Sequence, residues 1–182
     1  MPSTSTLTQP WLATGYTLFA AHGPDALRVE QIARIVGKSK SSFYHHFADM
    51  EVFTNLLLEM HMDRCREIAA REKECQNIDP ELIDILVEVK EDILFNRHLR
   101  INRQNAQFQH YLQLTTQQMA EAFLDLWARE LGLEDKPALV RSLFEHSIEN
   151  FYLQLTDQTL THEWLRSYFE QVRKMVGDFK KL

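Results

Sequence analysis

The sequence predicts an all-α protein, and three observations support this prediction. Only five Gly and five Pro occur in 182 residues, so few positions would interrupt a helix. Leu, Glu, Gln, Arg and Ala, which favour helices, are abundant. Apolar residues recur at spacings of three and four along most of the chain, as they do on one face of a helix. Since 45% of the residues are hydrophobic, the chain can bury a core, and we expect about nine helices.

The first two predicted helices each end at a glycine. The apolar residues of the segment 11–19 lie on one helical face, and Gly23-Pro24 ends that helix. Residues 29–36 carry a second, shorter helical pattern. Gly37 follows it, where a tight turn needs a residue that tolerates positive φ.

The third predicted helix is short and polar. Ser39 can cap it, and Phe43 and Phe47, four residues apart, form its apolar side, which we assign to the core. A helix followed by a glycine turn and a short polar helix is a helix-turn-helix. The sequence therefore predicts a three-helix N-terminal head.

A C-terminal helical body is expected to follow this head, so we divide the chain into domains 1–48 and 49–182. Asp49 can cap a long fourth helix over about Met50 to Glu74. Asp79-Pro80 then reads as a cap and first-turn proline for a fifth helix through Phe95. The remaining helical stretches are 97–131, as one or two helices, then 137–155 and 162–180.

Charge and hydropathy restrict the location and the partners of the chain. Residues 1–50 carry a net charge of +1, against −6 for the whole chain, so the body holds the acidic excess. A mildly basic head can supply a local positive patch for phosphate. No apolar run approaches the length of a membrane span, and the N-terminus lacks the pattern of a signal peptide. We expect a cytoplasmic protein with no membrane partner.

Residues 11–53 are similar to the DNA-binding domain of the tetracycline-repressor (TetR) family. The features that carry the resemblance are Trp11-Leu12, Leu18-Phe19, Gly23, Ile32-Ala33, Gly37 and the run from Ser39 to Phe47. The resemblance implies a transcriptional regulator, in all expectation a repressor, that binds a palindromic operator in double-stranded DNA as a homodimer. It also implies an unidentified small-molecule effector, held in the body, that releases the DNA.

The third helix is the predicted reader of DNA, since short polar side chains in its first turn can reach base edges in the major groove. The candidates for base contact are Lys40, Ser41, Ser42 and His45. Tyr44 resembles the phosphate-contacting tyrosine of the family, and further candidates for backbone contact are Arg28, Lys38, Ser39 and His46.

Three head positions depart from the family pattern. Arg28 stands where Ser or Thr is usual, Ser41 replaces a frequent Gly, and Met50 replaces a Lys that commonly contacts phosphate. The loss of this Lys removes one phosphate contact, although the N-terminus of the fourth helix still offers backbone donors.

The body is predicted to hold the effector and to form the dimer. Aromatic and amide side chains suit a mixed pocket, and the candidate ligand-binding residues are His61, Phe95, Asn102, Phe108, Tyr111, Trp127, Phe144 and Asn150. His61 is the candidate for coupling the pocket to the head. The last two helices carry broad apolar stripes that in the family form a four-helix bundle between subunits, with candidate interface residues Leu143, Ser147, Phe151, Trp164, Tyr168, Val172 and Met175.

Two other classes of function stay open at this stage. A helical-bundle enzyme with a carboxylate-bridged metal centre would use Glu-x-x-His motifs, but none of the eight His has Glu three residues before it. A Gly-rich phosphate loop, a nucleophile elbow and paired zinc-spaced cysteines are also lacking. We therefore expect no enzyme activity, metal or cofactor. A regulator that stays on DNA without any ligand is the other alternative.

Overall fold

A computed structural model describes residues 7–179 of the chain, and over these residues nine α-helices and no strands are found. The predicted all-α class is confirmed. The helices are α1 Gln9–His22, α2 Val29–Val36, α3 Lys40–His46, α4 Met50–Glu74, α5 Ile83–Glu88, α6 Lys90–Ile101, α7 Ala106–Leu131, α8 Pro137–Gln154 and α9 His162–Phe179. Within the described residues, no helix is both long and apolar enough to cross a bilayer.

The ends of the first four helices follow local chemistry. Gly37 has the left-handed conformation (φ 71°, ψ 33°) at the end of α2, where the Lys38 N–H donates to the Ala33 carbonyl at 2.9 Å. The Ser39 hydroxyl accepts from the Ser42 N–H at 3.1 Å, and Asp49 Oδ1 accepts from the Val52 N–H at 2.8 Å. The predicted turn and both predicted caps are confirmed.

The predicted fifth helix from Asp79 through Phe95 is wrong. Asp79 has an extended backbone (φ −114°, ψ 117°) inside a short π-type segment, Ile78–Leu82, and α5 begins only at Ile83. A residue that precedes proline is sterically kept from the helical region, and here Pro80 follows. The cap of this segment is Asn77, whose side chain accepts from the Glu81 N–H. The chain breaks again at Val89, after which α6 begins.

The described residues form two compact units. Unit 1 contains the chain up to Arg64 together with Glu91–Leu112, and unit 2 contains Cys65–Lys90 together with the chain from Gln113 onward. Helix α4 contributes its first part to unit 1 and its last turns to unit 2. The functional division at residue 48 stays a prediction, as does the end of the last helix at residue 180, which lies outside the described residues.

Each unit has an aromatic core. In unit 1, Phe19 stacks on Phe95 with ring centroids 4.1 Å apart, and both are fully buried. In unit 2, Phe123 packs against Trp127 and Phe144 at 5.3 and 5.8 Å. Buried aromatic groups of this size supply a large share of the apolar stabilisation of a core.

Candidate nucleic-acid interface

Helix α3 is held by its apolar side. Phe43 is fully buried and meets Trp11 edge to face, with centroids 5.6 Å apart, and Phe53 of α4 at 5.3 Å. Phe47 follows at the end of α3 and packs on Phe53 at 4.9 Å. The assignment of Phe43 and Phe47 to the core is confirmed. Because rings from α1 and α4 grip this short helix, its opposite side has a defined direction.

That opposite side is polar and open. Tyr44 is 55% exposed, and Lys40, Ser41 and His45 are exposed as well, whereas Ser42 is half-buried. A short helix that presents hydroxyl, imidazole and ammonium groups beside one another has the donors and acceptors that base edges and phosphates take.

An ion pair engages Lys40, the candidate with the longest reach. Its ammonium group contacts the Glu30 carboxylate of α2, and this hydrogen bond lowers the pKa of Glu30. Both side chains are more than half exposed, so the pair is of the weak surface kind. Lys40 can therefore exchange this partner for a DNA phosphate or base.

The candidates for backbone contact border α3. Lys38 and Ser39 are exposed at the turn before it, and His46 is half-buried at its end. Arg28 is exposed before α2, and its Nε donates to the Asp25 carbonyl at 3.3 Å. The structure thus places all nine sequence candidates on α3 and its neighbouring turns, while their contact with DNA stays a prediction.

A buried polar network lies behind this head, inside unit 1. The Tyr16 hydroxyl of α1 donates to Asp92 Oδ1 of α6 at 2.6 Å and also lies 2.6 Å from His61 Nδ1 of α4. Arg64 donates to both oxygens of Asp92, with Nη2 2.8 Å from Oδ2. The Arg64 guanidinium also lies 4.6 Å from the centre of the Tyr16 ring. One charged pair and one phenol therefore tie three helices together.

His61 is the neutral member of this network. Burial lowers the pKa of His61 to about 4, although a hydrogen bond with Asn96 and the charge of Asp92 oppose the shift. The Tyr16 hydroxyl has one proton, and it donates this proton to Asp92. His61 Nδ1 must then carry the imidazole proton and donate it to the Tyr16 oxygen. The ring stacks on Phe95 with centroids 4.2 Å apart.

The candidate ligand-binding residues fall into both units. His61, Phe95 and Phe108 are buried in unit 1, where Asn102 and Tyr111 are half-buried. The structure brings His61 and Phe95 together but occupies both with internal contacts. Trp127 and Phe144 are buried in unit 2, while Asn150 is exposed and accepts from Gln154 at 2.6 Å. Ligand binding by this set stays a prediction.

The candidate dimer residues also differ in exposure. Phe151, Tyr168 and Val172 are buried within unit 2, and the Tyr168 hydroxyl donates to the Ser147 carbonyl at 2.6 Å. Met175 is 46% exposed. Leu143, Ser147 and Trp164 are half-buried. The half-buried and exposed members are the ones with surface left for a second chain.

Sequence reasoning missed Tyr16, Arg64 and Asp92 as a functional group of residues. Their partners are 28 to 76 positions away, so no local spacing marks them. The one available signal was a Tyr within the apolar pattern of the first helix, because a buried phenol needs a hydrogen-bond partner. The Glu30 partner of Lys40 was also missed.

Comparison with known proteins agrees with this geometry. Residues 12–55 match the family model for bacterial regulatory proteins of the tetR family. A solved structure described as a TetR-family transcriptional regulator from Mesorhizobium loti superposes with a TM-score of 0.58 at 15% identity, and the match covers 96% of this chain and 98% of that one. A second, from a Rhodococcus species, gives 0.52 at 22% identity over 92% and 98%.

The third solved structure is the fatty acid degradation regulator FadR from Bacillus halodurans, with a TM-score of 0.56 at 15% identity over 94% of each chain. No curated protein matches this chain. At these identities the structural matches establish the fold alone, and the match over residues 12–55 identifies the head. The resemblance drawn from the sequence is confirmed.

Proposed function

This chain is a member of the TetR family of bacterial regulatory proteins, and we propose that it is a repressor that binds a palindromic operator as a homodimer and is released by a small molecule. The observation that carries the proposal is α3, whose apolar side is held by aromatic rings and whose polar side is exposed. The role is one of binding rather than catalysis, and it is exercised in the cytoplasm, where the operator DNA lies.

In the proposed complex, α3 enters the major groove of one half-site. Lys40, Ser41, Ser42 and His45 face base edges, and Tyr44 donates to a phosphate. The Ser39 hydroxyl already accepts from the Ser42 N–H, so its own proton is the part that is available to a phosphate oxygen. A seven-residue helix reads few base pairs, which is why two heads on an inverted repeat are needed.

The DNA test begins with selection of the operator. Wild-type protein is used to enrich binding sites from a random pool of double-stranded DNA, which should yield an inverted repeat. The double variant Lys40→Ala/Tyr44→Phe should then bind this operator at least about tenfold more weakly and lower the slope of log affinity against log salt by about one. Lys73→Ala removes the same charge from an exposed site at the end of α4 and should leave affinity unchanged.

Fluorescence anisotropy with a labelled operator measures both affinities, and circular dichroism checks that each variant is folded. If the double variant keeps the full operator affinity, α3 is not the reading helix. If selection enriches no repeated sequence, the proposed operator-binding function is itself wrong.

The homodimer is proposed to form through α8 and α9, using the surface that unit 2 leaves open around Leu143, Trp164 and Met175. A stable interface of this kind should bury upwards of about 1,000 Å². Met175→Asp should shift the protein toward monomer in sedimentation at micromolar concentration. Leu153→Asp is the matched control, since Leu153 is 82% exposed on α8 and points away from the candidate interface residues of that helix. A wild-type monomer would overturn the dimer.

Release is proposed to occur because the effector binds the DNA-free arrangement of the heads better than the bound one. A ligand shifts an equilibrium only by its difference in affinity for the two states, for which about 1 to 3 kcal/mol is typical. His61 is the proposed coupling residue, since it lies on α4 and contacts α1 through Tyr16. Titration of a compound with and without operator tests this, because linkage requires the same factor in both directions. Equal affinities would show that the compound is no inducer.

A further inference from the structure

Unit 2 contains a cavity that none of the preceding assignments uses. Its volume is about 130 Å³, and it lies among the Ile78–Leu82 segment, α5, α7 and α9. The apolar part of its wall consists of Ile78, Ile83, Trp127 and Phe169. For scale, an apolar cavity of about 150 Å³ holds one benzene ring. The space therefore suits a single aromatic ring packed against an indole and a phenyl group.

A buried donor without an acceptor lies in the wall. Trp127 is 2% exposed, and its indole N–H finds no hydrogen-bond partner among the described residues. A buried N–H that is left unpaired costs free energy comparable to a lost hydrogen bond. An acceptor atom on a molecule in the cavity would supply the missing partner, because Trp127 lines that space.

The charged residues of the cavity are already paired. Arg166 donates from Nε to Asp79 Oδ2 at 2.6 Å and from Nη2 to Oδ1 at 3.3 Å. Arg173 lies 3.8 Å from Glu130. Glu170 also lines the cavity and leaves the set with one negative charge in excess. An anionic ligand would have to compete with two carboxylates and approach a third, so the charges favour an uncharged ligand.

The cavity faces away from the proposed dimer surface. At 100° per residue, the four α9 residues that line it point roughly 150° from the four α9 residues assigned to the interface. The cavity-lining residues of α9 are Arg166, Phe169, Glu170 and Arg173. A ligand can therefore reach the cavity in the dimer as well as in the single chain.

We propose that this cavity binds an uncharged single-ring aromatic compound with one hydrogen-bond acceptor, its ring packed on Trp127 and Phe169 and its acceptor on the Trp127 indole N–H. The ring fills the apolar space, and the acceptor pairs the buried donor. The charged residues at the wall exclude carboxylates of the same size. This assignment concerns binding alone and stands whether or not the chain binds DNA.

The experiment uses two probes of nearly equal shape, acetophenone and α-methylstyrene, in which a carbonyl oxygen is exchanged for a methylene group. The full chain, labelled with ¹⁵N and free of DNA, is titrated while the three indole N–H resonances are followed. Acetophenone should move the Trp127 indole proton downfield to saturation. α-Methylstyrene should bind at least about tenfold more weakly, because it leaves the N–H unpaired. Benzoate should produce no saturable shift.

Two variants sharpen the test. Trp127→Phe removes the donor and should weaken acetophenone binding about tenfold, measured from the ligand by saturation-transfer NMR. Trp164→Phe removes the other tryptophan of unit 2, which does not line the cavity, and should leave binding unchanged. The wild-type titration needs no variant, so it decides the matter even if Trp127→Phe does not fold.

Three outcomes would overturn the assignment. The first is equal affinity for acetophenone and α-methylstyrene. The second is an acetophenone titration that moves the Trp11 or Trp164 resonance and leaves that of Trp127 in place. The third is benzoate binding as tightly as acetophenone. Because DNA is absent throughout, none of these results bears on operator binding.

Discussion

His61 and Glu72 lie about three turns apart on α4 but belong to different units. Both are buried, and burial is the main cause of both pKa shifts. It lowers the pKa of His61 to about 4 and raises the pKa of Glu72 to about 7. The charge of Arg71 opposes the second shift. The same physical cause therefore gives the two units opposite responses to pH.

The signs follow from proton binding in the two states. Between about pH 4 and 6.5 the unfolded chain protonates His61 and the folded chain does not, so stability falls as pH falls through this window. Between about pH 4.5 and 7 the folded chain keeps Glu72 protonated while the unfolded chain ionises it, so stability falls as pH rises. In the wild type these two contributions partly cancel.

The largest expected effect comes from breaking the network in unit 1. Asp92→Ala leaves the Tyr16 hydroxyl and the Arg64 guanidinium without their shared acceptor. We expect a loss of about 3 kcal/mol in the free energy of unfolding, at the low end for a buried pair because Arg64 is partly exposed. Urea denaturation measures it. Asp84→Asn, at an exposed pair with His162, is the control and should change little. A loss as small as that of the control would mean that the network does not hold unit 1 together.

The next effect concerns unit 2. Glu72→Gln keeps the shape of the side chain and removes its charge, so we expect a gain of about 2 kcal/mol at about pH 8. This is less than the full shift from 4.5 to about 7 corresponds to, because the attraction to Arg71 is lost as well. At about pH 4.5 the gain should disappear. Denaturation at both pH values measures it, and an equal gain at both would contradict the assigned cause.

A smaller effect isolates His61. Between about pH 7.5 and 5.5, wild-type protein should lose about 1 kcal/mol more than His61→Gln, because only the wild type has a buried imidazole to protonate. Trp11 fluorescence, in a Trp127→Phe/Trp164→Phe background, reports this change from unit 1 alone. His162→Gln removes an exposed imidazole and serves as the control. Parallel pH profiles for wild type and His61→Gln would show that His61 does not titrate in this way.

The smallest effect compares two helical glycines, one in each unit. A methyl group at Gly177 of α9 meets nothing within 4 Å, so Gly177→Ala should add about 0.5 kcal/mol through helix propensity and a stiffer unfolded chain. A methyl group at Gly15 of α1 would lie 2.5 Å from the Phe53 ring, so Gly15→Ala should destabilise. Thermal unfolding separates the two signs. A stabilising Gly15→Ala would mean that the Phe53 ring moves aside freely.

Local signals in the sequence gave correct helix ends where the structure uses neighbouring groups. Ser39 and Asp49 bond to N–H groups three residues ahead, and Gly37 supplies a single backbone conformation. These features lie within a few residues of their partners, so a sequence displays them. At Asp79 the proline was taken as the start of a helix, whereas its steric effect on the residue before it decided the outcome.

The buried network could not be predicted in the same way. Tyr16 and Asp92 are 76 positions apart, and only the packing of α1 against α6 brings them together. His61 was singled out correctly as a residue facing the interior of the body, but its partners depend on that packing. The Trp127 cavity is also non-local, because it needs side chains from four segments of unit 2. Patterns in one sequence give helices and caps, whereas such sites follow from the arrangement of helices.

The discontinuity of unit 1 affects the construction of hybrid regulators. If residues up to 48 were joined to the body of another family member, Tyr16 would be transplanted without His61, Arg64 and Asp92. The phenol would then face side chains that were selected for a different first helix, and a buried hydroxyl would lose its acceptor. Exchange of heads should succeed best when these three positions are carried along with the head, although they lie in the recipient's body segment.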